Sequence, residues 1–201
     1  MRPVPKWTLL SSGCAPLLLA GGWAVAGQLE GPAYDPVTQT ISVLAAHGAA
    51  GAWVMTAALM ALGVCHLLTA WGLRAAAAPG RVALACGGVA ALVVAMVPPP
   101  SSGGSLRHGS VAAVGFALLA LWPVLAADRS RTAPWPLWPA TSLAVTLAMG
   151  AGALWFLFEM DDDGAAGVAE RVVTSMQSLW PFVVAAACVH RARSRYRATA
   201  S

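Results

Sequence analysis

Long apolar runs broken by short polar clusters dominate this chain. Six of them approach or reach the length a helix needs to cross a bilayer core, about 20 residues: 7–28, 51–73, 81–97, 108–127, 137–158 and 172–189. No ten-residue stretch alternates apolar and polar positions with period two, the mark of a membrane β-strand, so the spans read as helices. A helix also satisfies its own backbone where no water is present. The predicted fold is therefore all-α: a polytopic membrane bundle of six transmembrane helices in a single integral-membrane domain, residues 1–201, ending in a basic tail at 190–201. Between the first two spans, Asp35 before Pro36 has the form of an N-cap followed by proline at the first helical position. Val37, Ile41, Leu44 and Gly48 then recur at helical spacing, with Thr38, Gln39 and Ser42 on the other side. This predicts a short amphipathic helix at the membrane face, a packing element that closes the bundle.

Two other connections have distinct patterns. Pro98-Pro99-Pro100-Ser101-Ser102-Gly103-Gly104-Ser105 reads as a loop. The last begins Glu159-Met160-Asp161-Asp162-Asp163-Gly164 and continues into a short helix ending at Glu170-Arg171. Small residues four apart, Gly87/Ala91, Gly109/Ala113 and Ala148/Gly152, predict close helix approach.

Composition supports the membrane reading. Apolar residues make up 58% and charged residues 10%, against about 25% charged in soluble domains. That excludes a disordered chain, a coiled coil and an ordinary cytosolic enzyme. The net charge of +4 invites a nucleic-acid partner only until the charges are placed. Arg2, Lys6, Arg74, Arg81, Arg129, Arg131, Arg191, Arg193, Arg195 and Arg197 fall on one side of the spans, with Arg107 and Arg171 on the other. Such a bias puts both termini in the cytoplasm. Glu30, Asp35, Glu159, Asp161, Asp162, Asp163 and Glu170 then lie outside, and only Asp128 inside. The tail from His190 to Arg197 suits anionic lipid headgroups. Without a folded cytosolic module, no nucleic-acid partner is expected.

Arg2, Lys6 and Ala24-Val25-Ala26 have some features of a cleavable signal, yet the apolar run continues to about Gly27 and matches a full span. Too little apolar sequence precedes Ser12-Gly13-Cys14 for a lipoprotein site. Cys14, Cys65, Cys86 and Cys188 all fall within predicted helices, with no C-x-x-C and no Cys/His metal spacing. They read as small buried apolar residues, and no metal or cofactor is expected.

The segment Tyr34-Asp35-Pro36-Val37-Thr38-Gln39-Thr40-Ile41-Ser42-Val43-Leu44, following a first membrane helix, resembles the DUF998 family of bacterial multi-span membrane proteins. Trp53 opening the second helix, the proline-bearing third loop, His108-Gly109 opening the fourth helix and Gly167-Val168-Ala169-Glu170-Arg171 before the last agree in order, over about residues 7–190. The resemblance implies the topology rather than a chemistry. It also implies, with the alanine-rich composition, a bacterial inner-membrane protein. Family members often carry an acid in the third loop; Pro98 to Ser105 has none here, so a ligand held by such an acid is not expected.

The candidate chemistry gathers at the outer helix ends. A carboxylic acid in an apolar pocket can stay neutral and donate a proton. Glu159, after Leu154-Trp155-Phe156-Leu157-Phe158, is the best placed, with Asp35, Glu30 and Glu170 as further catalytic candidates. Trp23, Trp53, His47, Arg107, His108, Trp155, Phe158 and Arg171 are the binding candidates. The competing structural reading pairs Glu159 or Asp35 with Arg107 or Arg171. His66, inside the second span, reads as a neutral histidine hydrogen-bonded across the bundle, with a proton relay as the sharper possibility. Phosphate-loop, dinucleotide, zinc-protease and serine-hydrolase motifs are absent. The expectation is a protein with an outward polar pocket that handles a lipid or other apolar ligand. The alternatives are an integral-membrane isoprenoid cyclase, whose carbocation tryptophan faces would stabilise, and a small transporter.

Overall fold

The computed structural model describes residues 4–101, 104–161 and 164–200, without the side chains of 195–200. Its long helices are α1 (Trp7–Glu30), α3 (Ala52–Gly72), α4 (Ala78–Met96), α5 (Leu106–Leu125), α6 (Pro139–Asp161) and α7 (Ala166–Ala200), and α2 (Ile41–Leu44) is a single turn. Six helices are long and apolar enough to cross a membrane. The protein is a multi-pass, all-helical membrane bundle.

Five spans begin and end within three residues of the sequence expectation; α7 starts six residues early. The separate short helix expected before Glu170-Arg171 is in fact the first turns of α7. The amphipathic helix is also shorter than expected. Asp35 does cap, accepting from the Val37 N–H at 2.9 Å and the Thr38 hydroxyl at 2.9 Å. The chain then turns and extends at Thr40 (ψ 163°), so that α2 begins only at Ile41.

Each long helix packs on its neighbours in sequence, and α1 packs against α7, which closes the six into a ring. One end of the ring carries the α1–α3, α4–α5 and α6–α7 connections with most of the acids, and is called here the acidic end. The basic end carries both terminal regions and the α3–α4 and α5–α6 connections. Large apolar side chains such as Leu10, Leu17, Leu147 and Leu154 point outward, as lipid-facing positions do. Alanine, glycine and small hydroxyl residues fill much of the helix contacts. Ser11 and Thr69 bond at 2.9 Å between α1 and α3, and Gln177 reaches from α7 to the Phe116 carbonyl of α5 at 3.0 Å. At the basic end, Arg81 donates to the carbonyls of Ala70 and Trp71, 2.8 and 3.2 Å away. It thus satisfies the last turn of α3.

A close backbone crossing of α3 and α4 lies outside the small-residue pairs expected. A Cβ on Gly63 would lie 2.6 Å from the Gly88 carbonyl, and one on Gly88 would lie 2.8 Å from the Gly63 carbonyl. Of the expected pairs, Gly87 faces Leu119 and Gly152 faces Val173, whereas Gly109 meets nothing. Ala113 and Ala148 are exposed. The cysteines divide in the same way. Cys65 and Cys188 are buried as expected, but Cys14 and Cys86 are on outward-facing helix surface.

His66 sits against this crossing and is fully buried, yet neither ring nitrogen has a partner among the described residues. The hydrogen bond across the bundle expected for it is not made. A buried polar group without a partner costs about 1–3 kcal/mol. We therefore expect His66→Leu, similar in size, to raise the thermal midpoint of the purified protein. A lowered midpoint would mean that the ring is satisfied in a way the fold does not show.

Candidate functional site

The acidic end is built around the segment Tyr34–Leu44, which the turn at Gly31 (φ +73°) directs back over the bundle. Glycine tolerates that left-handed conformation without strain. The segment is fastened to the start of α7. The Val168 N–H donates to the Val37 carbonyl at 3.1 Å. Arg171 donates to the carbonyls of Pro36 (2.9 Å), Gln39 (3.2 Å) and Gly167 (2.8 Å), and to the Tyr34 hydroxyl. Its guanidinium also lies 5.8 Å from the ring centres of both Trp23 and Tyr34. A planar guanidinium with five donors suits this task, and a lysine would not. Burial pushes the Tyr34 phenol up, and the neighbouring Arg171 partly opposes it. The Asp35 carboxyl is held below its ordinary value, chiefly by the Val37 N–H and then by the Thr38 hydroxyl.

Glu170 lies one residue before this arginine and is 5% exposed. One carboxyl oxygen accepts from the Ile41 N–H, and the other lies 3.4 Å from the Ser42 hydroxyl. Ser42 in turn lies 3.1 Å from Nε2 of His108, whose Nδ1 is 2.8 Å from the Val97 carbonyl. His108 is itself buried, and the Ser105 side chain caps its backbone N–H. One polar line thus joins α7, α2, the first turn of α5 and the end of α4.

Counting hydrogens along the line constrains its chemistry. A carbonyl only accepts, so Nδ1 of His108 carries a hydrogen. Ser42 has a single hydroxyl hydrogen. If it points to Nε2, the bond to Glu170 requires a proton on the carboxyl group. If it points to Glu170, Nε2 must hold a proton and donate to Ser42. Both complete arrangements therefore contain one proton shared between Glu170 and His108. Switching between them moves that proton through Ser42 without displacing a heavy atom.

The other candidates are placed differently. Glu159 is not the acid withdrawn from water. It is half-buried and ties the α6–α7 turn, accepting from Trp155 Nε1 at 2.8 Å and from the Ala165 N–H at 2.5 Å. Glu30 accepts from the Gly51 N–H at 2.8 Å and joins the end of α1 to the start of α3. The expected pairings of Glu159 or Asp35 with Arg107 or Arg171 give way to these local bonds, since Arg171 donates to carbonyls and Arg107 is exposed. His47 is exposed as well, although its backbone N–H reaches the Pro99 carbonyl at 3.1 Å. Asp161 is exposed; Asp162, Asp163 and Ser102 lie outside the described residues.

Trp23, Trp53, Trp155 and Phe158 do not come together. Arg171 occupies the Trp23 face, while Trp53 is 73% and Phe158 65% exposed and Trp155 holds Glu159. Ser42 is the member of the line that the sequence reading missed. A prominent groove lies not with the acids but at the basic end, beside Trp135, Trp138, Phe182 and Arg191. No group of three or more metal-ligating side chains is found among the described residues.

No curated protein and no solved structure matches the chain significantly. The family model described as "Protein of unknown function (DUF998)" matches residues 13–187, nearly the whole bundle together with the Tyr34–Leu44 segment and the Glu170–Arg171 turn. The chain belongs to the DUF998 family.

Proposed function

We propose that the protein handles a lipid or other apolar ligand at the membrane boundary, with the Glu170–Ser42–His108 line as its proton-transferring centre. The observation that carries this reading is the juxtaposition of a buried carboxyl group and a buried imidazole, joined through the hydroxyl of a half-buried serine. Ionisable groups inside membrane helices are costly and mark function by default. Exposed apolar side chains flank the line in sequence: Val43, next to Ser42, is 41% exposed and Leu106, two residues before His108, is 91% exposed. They offer an apolar ligand a first contact beside the line. By the distribution of Lys and Arg, the acidic end faces outward from a bacterial inner membrane and both termini face the cytoplasm.

Isoprenoid cyclisation would need aromatic faces around the acid. The four aromatic candidates are dispersed, so the proposal is proton transfer or ligand protonation without cyclisation. Transport has no broken helix pair in its favour among the described residues.

Mass spectrometry of the lipids that co-purify with the protein from its own membranes tests this reading. The wild type should enrich an apolar or amphiphilic species that Ser42→Ala loses while keeping its helicity. No enriched species, or the same species in Ser42→Ala, would refute the assignment.

A further inference from the structure

We propose that the groove at the basic end is a binding site for an anionic phospholipid. It is distinct from the acidic-end line and does not rest on the function proposed there. The groove has a volume of about 920 Å³, within the range of small-molecule sites. Its floor is one stripe of α7, from Phe182 through Ala186 and Ala187 to His190 and Arg191, and its wall is the α5–α6 connection with Trp135 and Trp138. The alanines give the groove depth where larger side chains would fill it.

Shape and charge identify the occupant. The apolar lining on α7, Phe182 to Ala187, rises about 8 Å, about half the depth of one leaflet of the bilayer core. It therefore takes the headgroup-proximal part of one acyl chain. Trp135 and Trp138 are each 50% exposed, as tryptophans at a membrane interface are. Beyond them the groove ends at His190 and Arg191, whose N–H groups can donate to a lipid phosphate. The acid at this end, Asp128, is turned to Ser130, accepting from its N–H at 2.8 Å and its hydroxyl at 2.9 Å. An arginine near a membrane surface favours anionic lipid by about 1 kcal/mol, or about fivefold. An acyl chain with a phosphate at one end satisfies both parts of the groove; a zwitterionic lipid fills the apolar part but adds a cation beside Arg191.

The full chain, reconstituted in phosphatidylcholine vesicles containing phosphatidylglycerol and then extracted, is assayed for retained lipid by native mass spectrometry. The wild type should retain phosphatidylglycerol in preference to phosphatidylcholine. Arg191→Gln, on half-exposed helix surface where folding is little affected, should cut that preference about fivefold. Arg193→Gln, off the groove, should leave it nearly unchanged. Ala187→Trp, which fills the floor, should lower retention of both lipids. Equal retention of the two lipids by the wild type overturns the proposal. So does a preference that survives Arg191→Gln, falls equally in Arg193→Gln, or coexists with undiminished retention in Ala187→Trp. The species tied to Ser42 should persist in Arg191→Gln, so the two proposals fail separately.

Discussion

Glu170→Ala should detach the Tyr34–Leu44 segment from the bundle and destabilise the protein by about 2–4 kcal/mol. Alanine removes the acceptor of the Ile41 N–H and one partner of Ser42, and leaves a void between α2 and α7. The Ile41 backbone is buried, so its N–H gains little from water in return. Glu170→Gln separates the structural from the chemical part. The amide oxygen still accepts from Ile41, so its cost should be nearer 1 kcal/mol, but it cannot hold the exchangeable proton. Hydrogen exchange at residues 41–44 together with a denaturation series checks both variants. Unchanged protection of Ile41 in Glu170→Ala would show that Arg171 and the Val168 N–H hold the segment without Glu170.

Gly63→Leu should have an effect at least as large, about 3 kcal/mol or more, and should disturb the contact between α3 and α4. Its Cβ alone would lie 2.6 Å from the Gly88 carbonyl and 2.7 Å from Leu92 Cγ. One of the two is backbone, which cannot rotate away, so the helices must separate. Gly63→Ala should show a smaller loss of about 1–3 kcal/mol. Gly150→Ala is the control, because a Cβ there meets nothing within 4 Å; it should be neutral or mildly stabilising. Thermal midpoints in one detergent would rank the three, and equal midpoints for Gly63→Leu and Gly150→Ala would contradict the close crossing.

The spans were legible because lipid imposes length and apolarity on every crossing helix, and these are properties of contiguous sequence. The interior was less so. Gly63 and Gly88 belong to different helices, and no spacing within either one marks the partner. The Asp35 cap was readable, since its partners are Val37 and Thr38. The end of that turn at Thr40 was not, because the chain extends there to bring Ile41 against Glu170 in α7. Glu159 looked like the protected acid because an apolar run precedes it, but apolar neighbours facing lipid do not bury a carboxylate at the helix end. Glu170 is buried by a segment 129 residues away. Ser42 looked like the polar side of a surface helix; only the fold sets it between Glu170 and His108.

The shared proton is most directly tested by the ¹⁵N shifts of the His108 ring, measured in membranes for the wild type and for Glu170→Gln. The account predicts that Nδ1 is protonated in both. It further predicts that Nε2 is unprotonated in Glu170→Gln, where the amide N–H donates to Ser42 and leaves the hydroxyl hydrogen for Nε2. A protonated Nε2 in Glu170→Gln, or an Nδ1 without a proton, would contradict it.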